Sequence, residues 1–88
     1  MKIKQLTYSS HFLKAFRKLD LGTQRQAVKR IEVFSKNPFD PRLKTHKLSG
    51  KLEVYWSFSV NYSYRVLVAF GEGDKATLID IGSHNIYK

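Results

Sequence analysis

Between Val54 and Phe70 the chain sets apolar residues on every second position, and does so twice. Val54, Trp56, Phe58 and Val60 fall on one side, with Tyr55, Ser57 and Ser59 on the other. After Asn61-Tyr62-Ser63, Val66, Val68 and Phe70 repeat the pattern, interleaved with Arg65, Leu67 and Ala69. Period two marks strands with one face against a core. Asn61-Tyr62-Ser63 reads as a hairpin turn, and Gly71-Glu72-Gly73-Asp74 as a second turn leading to a strand over Lys75 to Ile81. Consecutive strands joined by short turns pair antiparallel. The second half of the chain is therefore a sheet that needs an apolar cover on one face.

The first half supplies that cover. Phe12, Leu13, Phe16 and Leu19 recur at helical spacing, with Lys14, Arg17 and Lys18 opposite. Ser9 or Ser10 is a suitable N-cap. Asp20-Leu21-Gly22 interrupts the pattern, and Thr23 is expected to cap a second helix. Ala27, Val28, Ile31 and Phe34 form its apolar stripe, while Gln24, Arg25, Lys29, Arg30 and Glu32 form its wet face. Asn37-Pro38 ends it. Two such helices with a short joint predict a helical hairpin. Lys2 to Tyr8 alternates weakly and predicts a short first strand. Residues 37–51 hold both prolines and read as a loop anchored by Phe39, Leu43 and Leu48. The order β-α-α-β-β-β predicts an α+β fold: an antiparallel sheet of about four strands with an N-terminal helical hairpin packed on one face. Eighty-eight residues leave room for one core, so residues 1–88 are read as a single domain.

Charge narrows the function. Residues 1–51 hold thirteen basic and three acidic side chains, a balance of +10, whereas residues 52–88 hold three basic and four acidic, a balance of −1. A basic field on so small a body attracts polyanions, and phosphate attraction is the usual source of affinity for nucleic acid. With no cysteine there is no disulfide, thiolate nucleophile or cysteine zinc site. No apolar run approaches the ~18–20 residues that span a bilayer, and the first ten residues lack the apolar stretch of a signal peptide. A cytoplasmic protein with no membrane association is expected.

Few side chains are candidates for chemistry. Arg65 lies inside an apolar strand and must face away from the core, because burying it unpaired costs several kcal/mol. It is either a structural arginine paired with Glu53 or Asp80, or a phosphate fork. His46, in Lys44-Thr45-His46-Lys47, is either a solvated loop residue or a base placed to take a proton from a ribose 2′-hydroxyl. His84 and Tyr87 follow the last strand. Tyr87 either stacks on a base, supplies a hydroxyl, or tucks into the core with Ile86. His11 reads as surface, and Trp56, Phe58, Phe12 and Phe16 as core. Three scattered histidines without neighbouring carboxylates make no metal site, and no P-loop or dinucleotide fingerprint is present.

The pieces Thr45-His46-Lys47-Leu48-Ser49-Gly50, Tyr55-Trp56-Ser57-Phe58-Ser59-Val60, Tyr64-Arg65-Val66-Leu67 and Leu78-Ile79-Asp80-Ile81-Gly82-Ser83-His84, in this order, resemble the RelE/ParE superfamily. These are toxins of type II toxin–antitoxin systems, and the YoeB and YafQ branches look nearest. The resemblance implies a ribosome-dependent mRNA endonuclease without cofactor or metal, in which the 2′-hydroxyl is the nucleophile and the product a cyclic phosphate. It places His46 where such toxins have a general base, Arg65 on the scissile phosphate, His84 as candidate acid and Tyr87 as the terminal aromatic that orients substrate. Lys44, Lys47 and Lys51 are expected to bind RNA. It also implies partners: mRNA, the ribosome and a cognate antitoxin, with a monomeric toxin inside a hetero-oligomer. Ser59 and Ser63 replace the middle-hairpin histidine and aspartate of the YafQ branch, and no second C-terminal arginine of the RelE branch is present. The alternatives are a ParE-like DNA gyrase inhibitor and a noncatalytic nucleic-acid-binding domain.

Overall fold

Alternation becomes a sheet with one sealed face. In the computed structural model, residues 2–52, 54–83 and 86 are described. The elements run β1 (Gln5–Tyr8), α1 (Ser10–Arg17), α2 (Leu21–Lys36), β2 (His46–Lys47), β3 (Trp56–Ser59), β4 (Tyr64–Gly71) and β5 (Lys75–Ser83), with short 3-10 turns at Pro41–Leu43 and Gly50–Leu52. Five strands form one sheet in the order β1-β5-β4-β3-β2.

The two helices cover one face. Phe12 from α1 and Ala27, Ile31 and Phe34 from α2 join Phe58, Val66, Val68, Leu78 and Ile81 in a single buried cluster. Phe34 stacks on Phe58 at a centroid separation of 4.6 Å. At one end Phe39, Trp56 and Phe70 pack as an aromatic triad, with edge-on contacts of 5.6 and 5.5 Å to the indole. This burial of large rings supplies most of the driving force for folding.

Four details differ from the sequence-based expectation. The sheet has five strands, because His46–Lys47 inside the proline-rich segment pairs antiparallel with Ser57 and Trp56. It is mixed, since β1 pairs parallel with β5. The second helix starts at Leu21 and is capped by Asp20, whose carboxylate accepts from the Thr23 backbone N–H at 3.1 Å and the Thr23 hydroxyl at 2.7 Å. Thr23 is thus the third helical residue, not the cap. Finally β3 begins at Trp56, and Val54 lies outside it, two-thirds exposed. Ser9 is the cap of α1: its hydroxyl accepts from the Phe12 N–H and donates to the Ile79 carbonyl, which ties α1 to β5.

Among the described residues no helix is long and apolar enough to cross a membrane.

Candidate functional site

The strand register sorts the chemistry-bearing residues onto the face that the helices leave uncovered. Residues paired across neighbouring strands share a face. His46, Ser57, Leu67 and Asp80 form one row across β2 to β5, and Ser59, Arg65 and Gly82 form the next. This face is roofed at its centre, where Ser57 and Leu67 are buried, and open at its margins, where His46 is exposed and Arg65 half-exposed. The roof includes Ile86. Its side chain lies 2.6 Å from where a Cβ on Gly82 would sit, so any larger residue opposite Arg65 would require Ile86 to move.

His46 is oriented by the turn before it. Lys44 adopts the left-handed conformation (φ 53°), which costs a non-glycine residue roughly 1–2 kcal/mol and swings the chain from the Pro41–Leu43 turn into β2. Its carbonyl then meets Nδ1 of His46 at 3.0 Å. A carbonyl only accepts, so Nδ1 carries the hydrogen and Nε2 of the neutral ring keeps its lone pair. Nε2 is thereby the nitrogen able to take a proton.

Arg65 is held from the other side. Its Nη1 donates to the carbonyls of Asn61 at 2.7 Å and of Tyr62 at 3.1 Å, in the turn between β3 and β4, and of Tyr64 at 3.1 Å, at the start of β4. The Asp80 alternative does not hold: Asp80 instead lies 3.2 Å from His11 and accepts from the Ile81 N–H. Glu53 lies outside the described residues. Among the described residues no carboxylate pairs with Arg65 and nothing bonds Nε or Nη2. That edge is the two-donor fork suited to a phosphate. His46 and Arg65 sit two strands and two residues apart on this face, roughly 12 Å between their backbones.

The three predicted RNA-binding lysines are not equivalent. Lys44 stands beside Arg65. Lys47 pairs with Trp56 and so projects to the opposite face from His46. Lys51 is exposed in the Gly50–Leu52 turn beyond the sheet edge. His84 and Tyr87 lie outside the described residues.

Two cations missed in the sequence complete the margin. Arg30 of α2 and Arg42 of the Pro41–Leu43 turn join Lys44, Arg65, Ser59, Asn61 and Tyr62 around an open cleft of about 330 Å³. Arg42 is neutralised by Asp40 through bonds of 3.0 and 2.9 Å, and these bonds, with the Arg42 backbone N–H, hold the Asp40 carboxyl down to about 2. Arg30 donates through Nη1 to the Arg42 carbonyl at 3.2 Å. A helix wet face and a loop arginine carry no separate sequence signal. They meet only because the loop packs back on α2 with Leu43 fully buried.

No family model and no curated relative matches the chain. Solved structures do. A YoeB/ParE toxin from Agrobacterium tumefaciens superposes with a TM-score of 0.76 at 19% identity, covering 91% of this chain and 98% of that one. The toxin–antitoxin complex RelBE2 from Mycobacterium tuberculosis gives 0.77 at 15% identity, over 90% and 95%. YafQ from Escherichia coli gives 0.69 at 15% identity, over 94% and 96%.

Proposed function

We infer, from a fold shared with the RelE/ParE superfamily toxins, that this protein is the toxin of a type II toxin–antitoxin pair and acts as a ribosome-dependent mRNA endonuclease in the cytoplasm. The observation that carries the reading is the His46 ring, fixed by the Lys44 carbonyl with Nε2 as proton acceptor, on the same sheet face as the Arg65 fork.

In this reading the scissile phosphate docks on Nε and Nη2 of Arg65, and the neighbouring ribose 2′-hydroxyl approaches Nε2 of His46. His46 takes the 2′-proton as the 2′-oxygen attacks phosphorus. The bond from phosphorus to the 5′-oxygen breaks, that oxygen gains a proton from an acid, and a 2′,3′-cyclic phosphate remains. Arg65 stabilises the charge that builds on the equatorial oxygens. The nucleophile belongs to the substrate, so the step needs no metal or cofactor. By resemblance the acid is His84, with Tyr87 orienting the substrate. The antitoxin partner is proposed on the same fold likeness, since one of the matched structures is a toxin–antitoxin complex. An acidic segment laid across the cationic margin would mask Arg65.

Primer extension on a defined mRNA, with and without programmed ribosomes, tests the reading. Cuts should appear with ribosomes, fall roughly 10²–10⁴-fold in His46→Ala, and fall ~10²-fold or more in Arg65→Ala. Near-normal cleavage by both variants sinks the site. Absence of cleavage by the wild-type protein sinks the nuclease reading, and a gyrase supercoiling assay then tests the ParE-like alternative.

A further inference from the structure

We propose that the cleft between α2, the Pro41–Leu43 turn and the β3–β4 turn is a second nucleotide site for single-stranded RNA, with Arg30 and Lys44 on a backbone phosphate and Tyr62 stacked on the adjoining base. This rests on the RNA reading of the neighbouring His46–Arg65 site, and extends it by one nucleotide.

Cations converge here from three separate segments: Arg30 from α2, Arg42 and Lys44 from the turn, and Arg65 from β4. Only Arg42 is neutralised, by Asp40. Among the described residues no carboxylate comes within ion-pair distance of Arg30, Lys44 or Arg65; Asp40, already paired with Arg42, attracts Arg30 from farther off, so the opening keeps a surplus of positive charge. Such a surplus is unfavourable in the free protein and is relieved by an anion.

Arg30 and the turn that carries Tyr62 are set in place before any ligand arrives. Arg30 is half-buried and anchored to the Arg42 carbonyl. Lys44 leaves the Pro41–Leu43 turn in a left-handed conformation at the cleft, with its side chain exposed. Asn61 locks the turn to α2 by donating to the Gln26 side-chain oxygen at 2.6 Å, and accepts from the Ser63 and Tyr64 N–H groups. Anchored donors lose little freedom on binding.

Tyr62 separates nucleic acid from other polyanions. It stands at the cleft lip with 94% of its surface exposed, so its ring stabilises no core. An aromatic face beside unpaired cations matches a base and its phosphate, and is how single-stranded nucleic acid is held without sequence readout. An acidic peptide would use the cations and leave the ring idle. Lys44 and His46 are two residues apart, about 7 Å along the chain, so one strand can pass from one site to the other.

Fluorescence anisotropy with a labelled single-stranded oligoribonucleotide, 2′-O-methylated so that it cannot be cut, tests the proposal on the full chain. Tyr62→Ala should weaken binding by roughly five- to a hundredfold, and Tyr62→Phe should restore it. Arg30→Gln should weaken binding and reduce the slope of log affinity against log salt by about 0.7. Unchanged binding in Tyr62→Ala, or equal loss in Tyr62→Phe, overturns the stacking site. Binding of polyglutamate as tight as that of the RNA, with no response to Tyr62→Ala, assigns the cleft to an acidic protein segment and also overturns it. Ribosome-dependent cuts that require His46 but persist at wild-type level in Tyr62→Ala and Arg30→Gln, with RNA binding unaltered, remove the second site alone. A wild-type protein that neither binds the RNA nor cuts mRNA removes the underlying reading with it.

Discussion

The two faces of one sheet are written by alternate residues of the same strands, yet they carry different things. On the covered face Phe58, Val66, Val68 and Leu78 are fully buried against Phe12 and Phe34. On the other, the register sets His46, Ser59, Arg65 and Asp80, with Gly82 kept bare for Ile86. One face is a stability surface, and the other carries the candidate chemical groups. Their spacing by single residues means that a strand slipped by one position would exchange them completely. The β5 bulge beside Leu67 and Val68 shows how tightly this is managed: one extra residue lets Leu78 stay in the core while Asp80 faces the other side.

If the division is real, changes on the covered face should alter stability alone. Phe34→Ala removes the ring stacked on Phe58 and should cost about 3–5 kcal/mol, read as a lower urea midpoint. RNA cleavage per folded molecule, measured at a temperature where the variant remains native, should hold. A large loss of cleavage from a fully folded Phe34→Ala protein would break the comparison.

The converse is expected of the uncovered margin. His46→Ala and Arg65→Ala should leave the urea midpoint close to wild type, within about 0.5 kcal/mol for exposed His46. For Arg65 the loss is larger, about 1–2 kcal/mol, because the two Nη1 hydrogens shared among the Asn61, Tyr62 and Tyr64 carbonyls are removed, while Tyr64 keeps the Val60 N–H. Arg65 thus belongs in part to both faces. Arg65→Lys sharpens the point: a lysine still reaches the carbonyls but offers no fork, so stability should be retained while cleavage falls.

How much of this the sequence disclosed follows from the same contrast. Period two over Trp56–Val60 and Tyr64–Phe70 is legible because Phe58, Val60, Val66 and Val68 are buried on one face, whereas Val54, which extends the pattern, is exposed. The helical hairpin is legible for the same reason. The pairing of β1 with β5 was not, because the partners lie 70 residues apart and β1 has only four residues. Nor was β2: two residues cannot display a period, and their proline-rich flank reads as loop. Asp20 and Thr23 are both capping types three residues apart, and Leu21-Gly22 looks like a break until Asp20 is seen bonding Thr23. For the site, sequence placed Arg65 on the correct face but not its turn partners. It also offered nothing to join Arg30 and Arg42, whose meeting depends on how residues 37–44 pack on α2.

Between the two faces run residues that bind helix to sheet, and these should give intermediate effects. Ser9→Ala removes both the α1 cap and the bond to the Ile79 carbonyl, an expected loss of about 1–2 kcal/mol in urea unfolding. Gly82→Ala is different. Its Cβ would force Ile86 away from β5, which should lower cleavage more than stability if residues beyond Ser83 serve the reaction. Equal, small losses in both would leave Ile86 a purely structural lid.

The smallest expected effect lies in the Pro41–Leu43 turn that leads into Lys44. Asp40 is held down to about 2, chiefly by the Arg42 side-chain hydrogen bonds and then by the Arg42 backbone N–H, against about 3.9 for a free aspartate. A carboxyl lowered by folding stabilises the folded state above its unfolded value, and that contribution fades as pH falls from about 4 through 2. The Arg42 side chain is exposed while Asp40 is partly covered, so solvent screens the pair, the change should be slight and it should shrink further in high salt. Asp40→Asn should reduce the acid-range slope, leaving the part due to Asp20, whose carboxyl the Thr23 hydrogen bonds also hold low, with the neutral-pH midpoint nearly unchanged, as read from urea unfolding at pH 2 to 5. Because Asp40 also neutralises Arg42, the same variant should raise RNA affinity at neutral pH by freeing a fourth cation in the cleft. Weaker binding would show instead that Asp40 matters for holding the turn in shape, and that the uncovered margin depends on local order as strictly as the covered face does.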